Sequence, residues 1–302
     1  MHGVSAYEPH FQNIRFPSGN GCFVDIRVLR EDLAHPDGQG NKYWKLKYNL
    51  AGALRTGQTR LLTFGGAYSN HIHAVAAAGR QAGLQTIGVI RGEAPEHPGP
   101  TLRFAAAQGM RLHFVTREAY RQKNEPRFLE TLRGIFGDFF HVPEGGSNSF
   151  GLSGCEEWGT RLAGHADIYA LAAGTAVTAA GLAKALALRQ PGAEVWAFSA
   201  LKNGEFLKTE AENIAGMPLP RLRIVTEYHF GGYARHTPAP LDFIRQTETA
   251  HGLPLEQVYT AKALYGLLGL ARQGSVPAGA RLCFIHTGGM QGRMPGLTNT
   301  GG

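Results

Sequence analysis

Leu61-Leu62-Thr63-Phe64-Gly65-Gly66-Ala67-Tyr68-Ser69-Asn70-His71 is the stretch that decides the fold. Its first four residues read as a strand, the glycine pair as a tight turn, and Ser69 or Asn70 as the cap of a helix that runs from 70 to 82 and stops at Gly83. A strand that turns through glycines into a capped helix is the building unit of an α/β protein. The same turn carries chemistry. Free amides at a helix start, aided by the helix dipole, suit a bound carboxylate. A plain N-cap satisfies the same pattern.

Outward from this stretch the alternation recurs. Strand-like runs lie at 86–90, 112–115, 139–142, 168–172, 195–199, 222–226 and 282–286. Helical patterns lie at 101–108, 127–136, 152–163, 179–189, 203–215, 241–251 and 262–273. The order predicts an α/β architecture with mainly parallel strands and helices on both faces. Pro143-Glu144-Gly145-Gly146-Ser147-Asn148 is the strongest break in the middle of the chain. Two lobes follow, a small one over 46–150 and a large one made of 1–45 and 151–302. The expected ligand cleft lies between them, beyond the carboxyl ends of the strands.

Composition narrows the function. With 302 residues, 43% hydrophobic and 18% charged, the chain buries a sizeable core and is not a disordered segment. The longest tempting uncharged stretch, 168–183, is too short and too diluted by Gly and Thr to span a bilayer, and the first residues lack a secretory signal. Cys22, Cys155 and Cys283 are odd in number and far apart, which argues for reduced thiols and a cytoplasmic setting. Thirty Lys+Arg against 23 Asp+Glu leave a net charge of +7. Nucleic acid is set aside because no helix-turn-helix, zinc or RNA-recognition signature accompanies that charge. An anionic small ligand accounts for both the positive charge and the 41 glycines, which pair at 65–66, 145–146, 231–232 and 288–289.

Four motif groups carry candidate chemistry. In Gly40-Asn41-Lys42-Tyr43-Trp44-Lys45-Leu46, a lysine opens a helical pattern, and the helix start with Lys45 and Lys47 nearby lowers its pKa toward a Schiff-base former. A solvated helix start with three lysines reads the same way. The second group is the turn Ser69-Asn70-His71. The third, Gly174-Thr175-Ala176-Val177-Thr178, follows a strand and opens a helix, where amides and hydroxyls suit a phosphate. It matches neither the Walker pattern nor G-x-G-x-x-G. The fourth comprises Tyr233 with its glycine turn, Val258-Tyr259-Thr260-Ala261-Lys262 and His286-Thr287-Gly288-Gly289. His71 and His73 do not share a helix face and have no third ligand, so no metal is expected.

Together these segments resemble the 1-aminocyclopropane-1-carboxylate deaminase and D-cysteine desulfhydrase family, within the tryptophan synthase β-like, fold type II pyridoxal phosphate enzymes. The resemblance runs from about Phe16 to Gly292. It implies a two-domain fold with the active site between the domains, a homodimer, and pyridoxal 5'-phosphate as cofactor. Lys42 would hold the cofactor, Asn70 its phenolic oxygen, Gly174, Thr175, Ala176, Val177 and Thr178 with Lys45 its phosphate, and Thr260 would lie near the pyridine nitrogen. Ser69, Asn70, His71 and Thr287 would meet the substrate, and Lys42, Ser69, Tyr233 and Tyr259 would be the catalytic group. Ala176 and Val177 depart from the family's glycine-rich phosphate loop, and the segment before the lysine is several residues shorter than usual.

The resemblance also sorts the reactions. In the deaminase pattern a glutamate follows the tyrosine and a leucine follows the late histidine; here Thr260 and Thr287 stand there. A neutral hydroxyl does not support a pyridinium as a carboxylate does. The expectation is therefore a D-cysteine desulfhydrase-like β-elimination on a small amino acid, giving pyruvate and ammonia. The alternatives are 1-aminocyclopropane-1-carboxylate deamination and a cofactor-binding protein without catalysis.

Overall fold

The computed structural model describes residues 7–19, 22–35, 40–233, 235, 237–294 and 297. It holds two sheets. The larger is built from β1 (Phe11–Gly19), β2 (Cys22–Arg30), β7 (Ile168–Ala173), β8 (Glu194–Ser199), β9 (Leu222–Val225) and β10 (Leu282–His286), in the order β1-β2-β10-β7-β8-β9. The smaller is built from β3 (Arg60–Gly65), β4 (Gln85–Arg91), β5 (Arg111–Val115) and β6 (Phe140–Val142), in the order β5-β4-β3-β6. All pairings are parallel except the β1–β2 hairpin.

That hairpin and the short helix α4 (Arg117–Arg121) are elements absent from the expected alternation, and the hairpin is the larger. Its signal is a strict alternation: Ile14, Phe16, Ile26 and Val28 are buried, while Arg15 and Asp25 face out and pair at 2.7 Å. A search for strand–helix alternation passes over two consecutive strands. A smaller difference lies at 203–215, where Asn203 adopts a left-handed conformation and the α-helix proper starts at Leu207.

Helices cover both faces of each sheet, and the period of two shows why. Along β7, Tyr169, Leu171 and Ala173 enter one core, shared with α6 (Ser149–Leu162) and α7 (Val177–Arg189). Ile168, Ala170 and Ala172 enter the opposite one, shared with α9 (Pro238–His251) and α10 (Thr260–Arg272). In the small sheet Leu61 packs toward α2 (Asn70–Gln81) and α3 (Pro100–Ala107), and Leu62 and Phe64 pack toward α5 (Pro126–Phe136). A strand buried on both faces needs the near-continuous apolar runs the sequence displays.

Helix α1 (Asn41–Arg55) joins the two cores. Its Trp44 belongs to the core of the large sheet, and Leu46 and Ala53 to that of the small one. Among the described residues no helix is long and apolar enough to cross a membrane.

Candidate active site

A cavity of about 510 Å³ opens where the carboxyl ends of both parallel sheets converge. Gly66 after β3, Arg91 at the end of β4, Glu144 after β6, Gly174 after β7, Leu201 after β8 and Thr287 after β10 all line it. This is where an open α/β sheet presents its loops to a ligand. Lys42 and Lys45 enter from the first turn of α1 and Asn70 and His71 from the first turn of α2, while Tyr233 and Tyr259 close the far side.

Lys42 is placed by its neighbours. Its Nζ donates to Asn41 Oδ1 at 2.8 Å, and Asn41 Nδ2 donates to Thr178 Oγ1 at 3.2 Å. The turn that starts the helix is tight. Gly40 has φ of 51°, and a Cβ there would stand 2.2 Å from the Thr287 carbonyl oxygen, which accepts the Asn41 amide. Burial, and then the charge of Lys45, lower the Lys42 pKa to about 7. Burial lowers Lys45 to about 8, and its Nζ donates to Thr175 Oγ1 at 3.2 Å. Two buried amines side by side, with the first turn of α7 opposite, form a place that wants an anion.

His71 is neutral. Burial, then Lys42 and Lys45, hold its pKa well below the usual histidine range. Thr63 Oγ1 donates to the Val142 carbonyl at 2.7 Å, so it accepts from His71 Nε2 at 2.8 Å. The lone pair therefore sits on Nδ1, a buried atom with no hydrogen-bond partner among the described residues. Ser69 does cap α2, accepting the amides of His71 and Ile72 at 3.2 and 3.3 Å. Asn70 Oδ1 accepts from Gln291 Nε2 at 2.9 Å, which leaves Nδ2 as the donating end. Gly289 backs this amide: a Cβ there would lie 2.5 Å from Asn70 Nδ2.

The two tyrosine rings meet edge to face with centroids 6.0 Å apart. Burial pushes both hydroxyls up, Tyr259 well above its ordinary value, so both are protonated near neutral pH. Lys262, buried on α10, holds the turn that carries Tyr233: its Nζ donates to the carbonyls of His229 and Gly232, each at 2.9 Å.

Three expected site residues lie off the cavity wall. Ala176 and Val177 turn their side chains into the core. Thr260 is fully buried, and its hydroxyl accepts the Glu256 amide at 3.0 Å. Residues the sequence reading gave no role are Asn41, Arg91, Glu144, Leu201 and Gln291. Arg91 had a usable signal, since it directly follows the predicted strand at 86–90 on the ligand side. Gln291 had none. Among the described residues no three His, Cys, Asp or Glu side chains cluster as a metal site.

A family model described as pyridoxal-phosphate dependent enzyme matches residues 17–288. The chain belongs to this family. It is 30% identical over 280 residues to a putative 1-aminocyclopropane-1-carboxylate deaminase of Pyrococcus horikoshii, covering 89% of this chain and 86% of that one. It is 29% identical over 292 residues to a D-cysteine desulfhydrase of Yersinia pestis, covering 88% and 86%. A crystal structure of a homologue of 1-aminocyclopropane-1-carboxylate deaminase superposes with a TM-score of 0.75 at 29% identity, over 89% of this chain and 85% of that one. The fold expected from the resemblance is thus the fold found, and pyridoxal phosphate is the cofactor. The cavity fits it: two lysines of lowered pKa, an unpartnered buried His71 Nδ1 and the helix start at Val177 are what a phosphorylated aldehyde needs.

Proposed function

We propose that the protein is a lyase that eliminates a leaving group from Cβ of a small amino acid, releasing pyruvate and ammonia, with D-cysteine as the first substrate to test. The observation that carries this reading is the site's division of labour: one amine of pKa about 7 faces two tyrosines that stay protonated. Pyridoxal phosphate, when bound, supplies the electron sink that stabilises negative charge at Cα. Lys42 would anchor it, and the free Lys42 amine has the pKa of a base working near neutrality. Tyr233 and Tyr259 are proton donors for the departing group. Ser69, Asn70, His71 and Thr287 orient the substrate, and the donating Nδ2 of Asn70 suits a phenolate oxygen. Lys45, Gly174, Thr175, Thr178 and the amides of Ala176 and Val177 receive the phosphate.

Thr260 keeps its place in the reading as the neutral residue next to Tyr259. Its engagement with Glu256 supports a weaker electron sink, and hence elimination from an α-CH substrate rather than cyclopropane opening. We take 46–150 as the small lobe and 1–45 with 151–302 as the large one. The family resemblance supports a homodimer. The buried thiols of Cys155 and Cys283, pushed up to about 11 and 12, support a reducing compartment such as the cytoplasm.

The test is pyruvate release from D-cysteine, L-cysteine and D-serine beside ketobutyrate release from 1-aminocyclopropane-1-carboxylate. Turnover of a cysteine or serine is the expected result. Turnover of the cyclopropane alone would replace this reading with deamination, and bound cofactor without turnover of any amino acid would leave a binding protein.

A further inference from the structure

A second cavity of about 460 Å³ adjoins the first and shares Gly66, Arg91 and Glu144 with it. Its wall is unusually basic. Arg91 ends β4, Arg117 and Arg121 lie four residues apart on one face of α4 (Arg117–Arg121), and Lys123 follows. Glu144 is the carboxylate among its lining residues, and it is taken by Lys123 at 3.4 Å. Among the described residues no carboxylate lies within ion-pair distance of Arg91, Arg117 or Arg121.

Tyr120 backs this wall. It is only 4% exposed, and its hydroxyl lies beside the Glu144 carboxylate, with no hydrogen bond of normal geometry among the described residues. Arg91 and Lys123 stand 5.8 and 5.3 Å from its ring centroid. Burial, and then the Glu144 charge, keep that hydroxyl protonated. Grouped cations repel one another. One bound anion relieves that repulsion.

We propose that this basic annex is a second anion subsite, and that the substrate is an amino acid bearing an acidic group on its side chain, such as a phosphate or sulfate ester. The inference rests on the elimination reading and narrows its substrate. With O-phosphoserine, the Cα–H bond breaks and its proton passes to Lys42 Nζ. The electron pair becomes the Cα–Cβ double bond, and the Cβ–O bond breaks with its pair leaving on phosphate. Water then converts the released enamine to pyruvate and ammonia. Arg117, Arg121 and Lys123 would meet the charge as it gathers on the departing group.

The holoenzyme is assayed with both enantiomers of cysteine, serine, O-phosphoserine and serine O-sulfate, following pyruvate and the visible spectrum of the cofactor. The expected kcat/KM for an ester exceeds that of cysteine and serine of the same hand by about tenfold or more, the size of one charge-assisted contact. Phosphate leaves more easily than hydroxide, so the Arg117→Ala/Arg121→Ala variant decides: the preference should fall at least about tenfold. A preference unchanged in the variant overturns the annex. Pyruvate from cysteine with none from the esters also overturns it while leaving elimination intact. Spectral changes with the esters that the variant loses, without pyruvate from any amino acid, keep the annex and overturn elimination instead. No spectral change with any compound overturns both.

Discussion

At the residue scale the decisive quantity is the charge state of Lys42. A lysine amine attacks a carbonyl only when neutral, and an ordinary lysine, with a pKa near 10.4, is almost wholly charged at pH 7. Burial and the Lys45 charge bring Lys42 down to about 7, so its reactive form prevails above that pH and is lost below it. Cofactor-free protein should therefore load pyridoxal phosphate at a rate that rises with pH through a midpoint near 7. Stopped-flow absorbance in the visible band reads this directly, and a midpoint near 10 would remove the argument. Lys42→Ala should lose that band. The motif around Gly40-Asn41-Lys42 marks this lysine in the sequence, but its pKa comes from burial and from Lys45, which are properties of the packed helix start.

At the element scale the start of α10 shows how a buried acid serves a site it does not line. The Glu256 carboxylate accepts the amides of Val258, Tyr259 and Thr260 at 2.7, 2.7 and 2.6 Å, groups a helix start leaves without partners. It thereby fixes the backbone from which Tyr259 reaches the cavity. Glu256→Ala should cost about 2–3 kcal/mol, the loss of a cap together with charge-assisted bonds. The melting temperature should drop by several degrees, and at 25 °C turnover should fall while the folded far-ultraviolet spectrum persists. An unchanged melting temperature would show that the three bonds contribute nothing. The late tyrosine motif was legible in the sequence, whereas the engagement of the Thr260 hydroxyl by the Glu256 amide was not.

At the scale of the whole molecule the cavity is made by two sheets that meet at their carboxyl ends, so a ligand there touches loops from both. Binding to the folded form alone stabilises it, by about 2.7 kcal/mol at a hundredfold excess over Kd. For a chain of this size that corresponds to a rise of about 4 °C in melting temperature. Calorimetry with and without pyridoxal phosphate should show this rise, and Lys42→Ala should lose most of it. A shift that survives in the variant would place the binding energy in the phosphate loop instead.

The sequence by itself determined the α/β alternation, the parallel sheets, the cofactor lysine motif and the glycine turns, because each is written in local periodicity and in residues next to one another. Only the tertiary structure decided the β1–β2 hairpin at the sheet edge, the neutral His71 with its unmatched Nδ1, and the partnership of Asn70 with Gln291 across 221 positions. It also gathered Arg91, Arg117, Arg121 and Lys123 from two separate segments onto one wall. Burial, charge coupling and long-range contact depend on which segments pack together, and no run of adjacent residues records that.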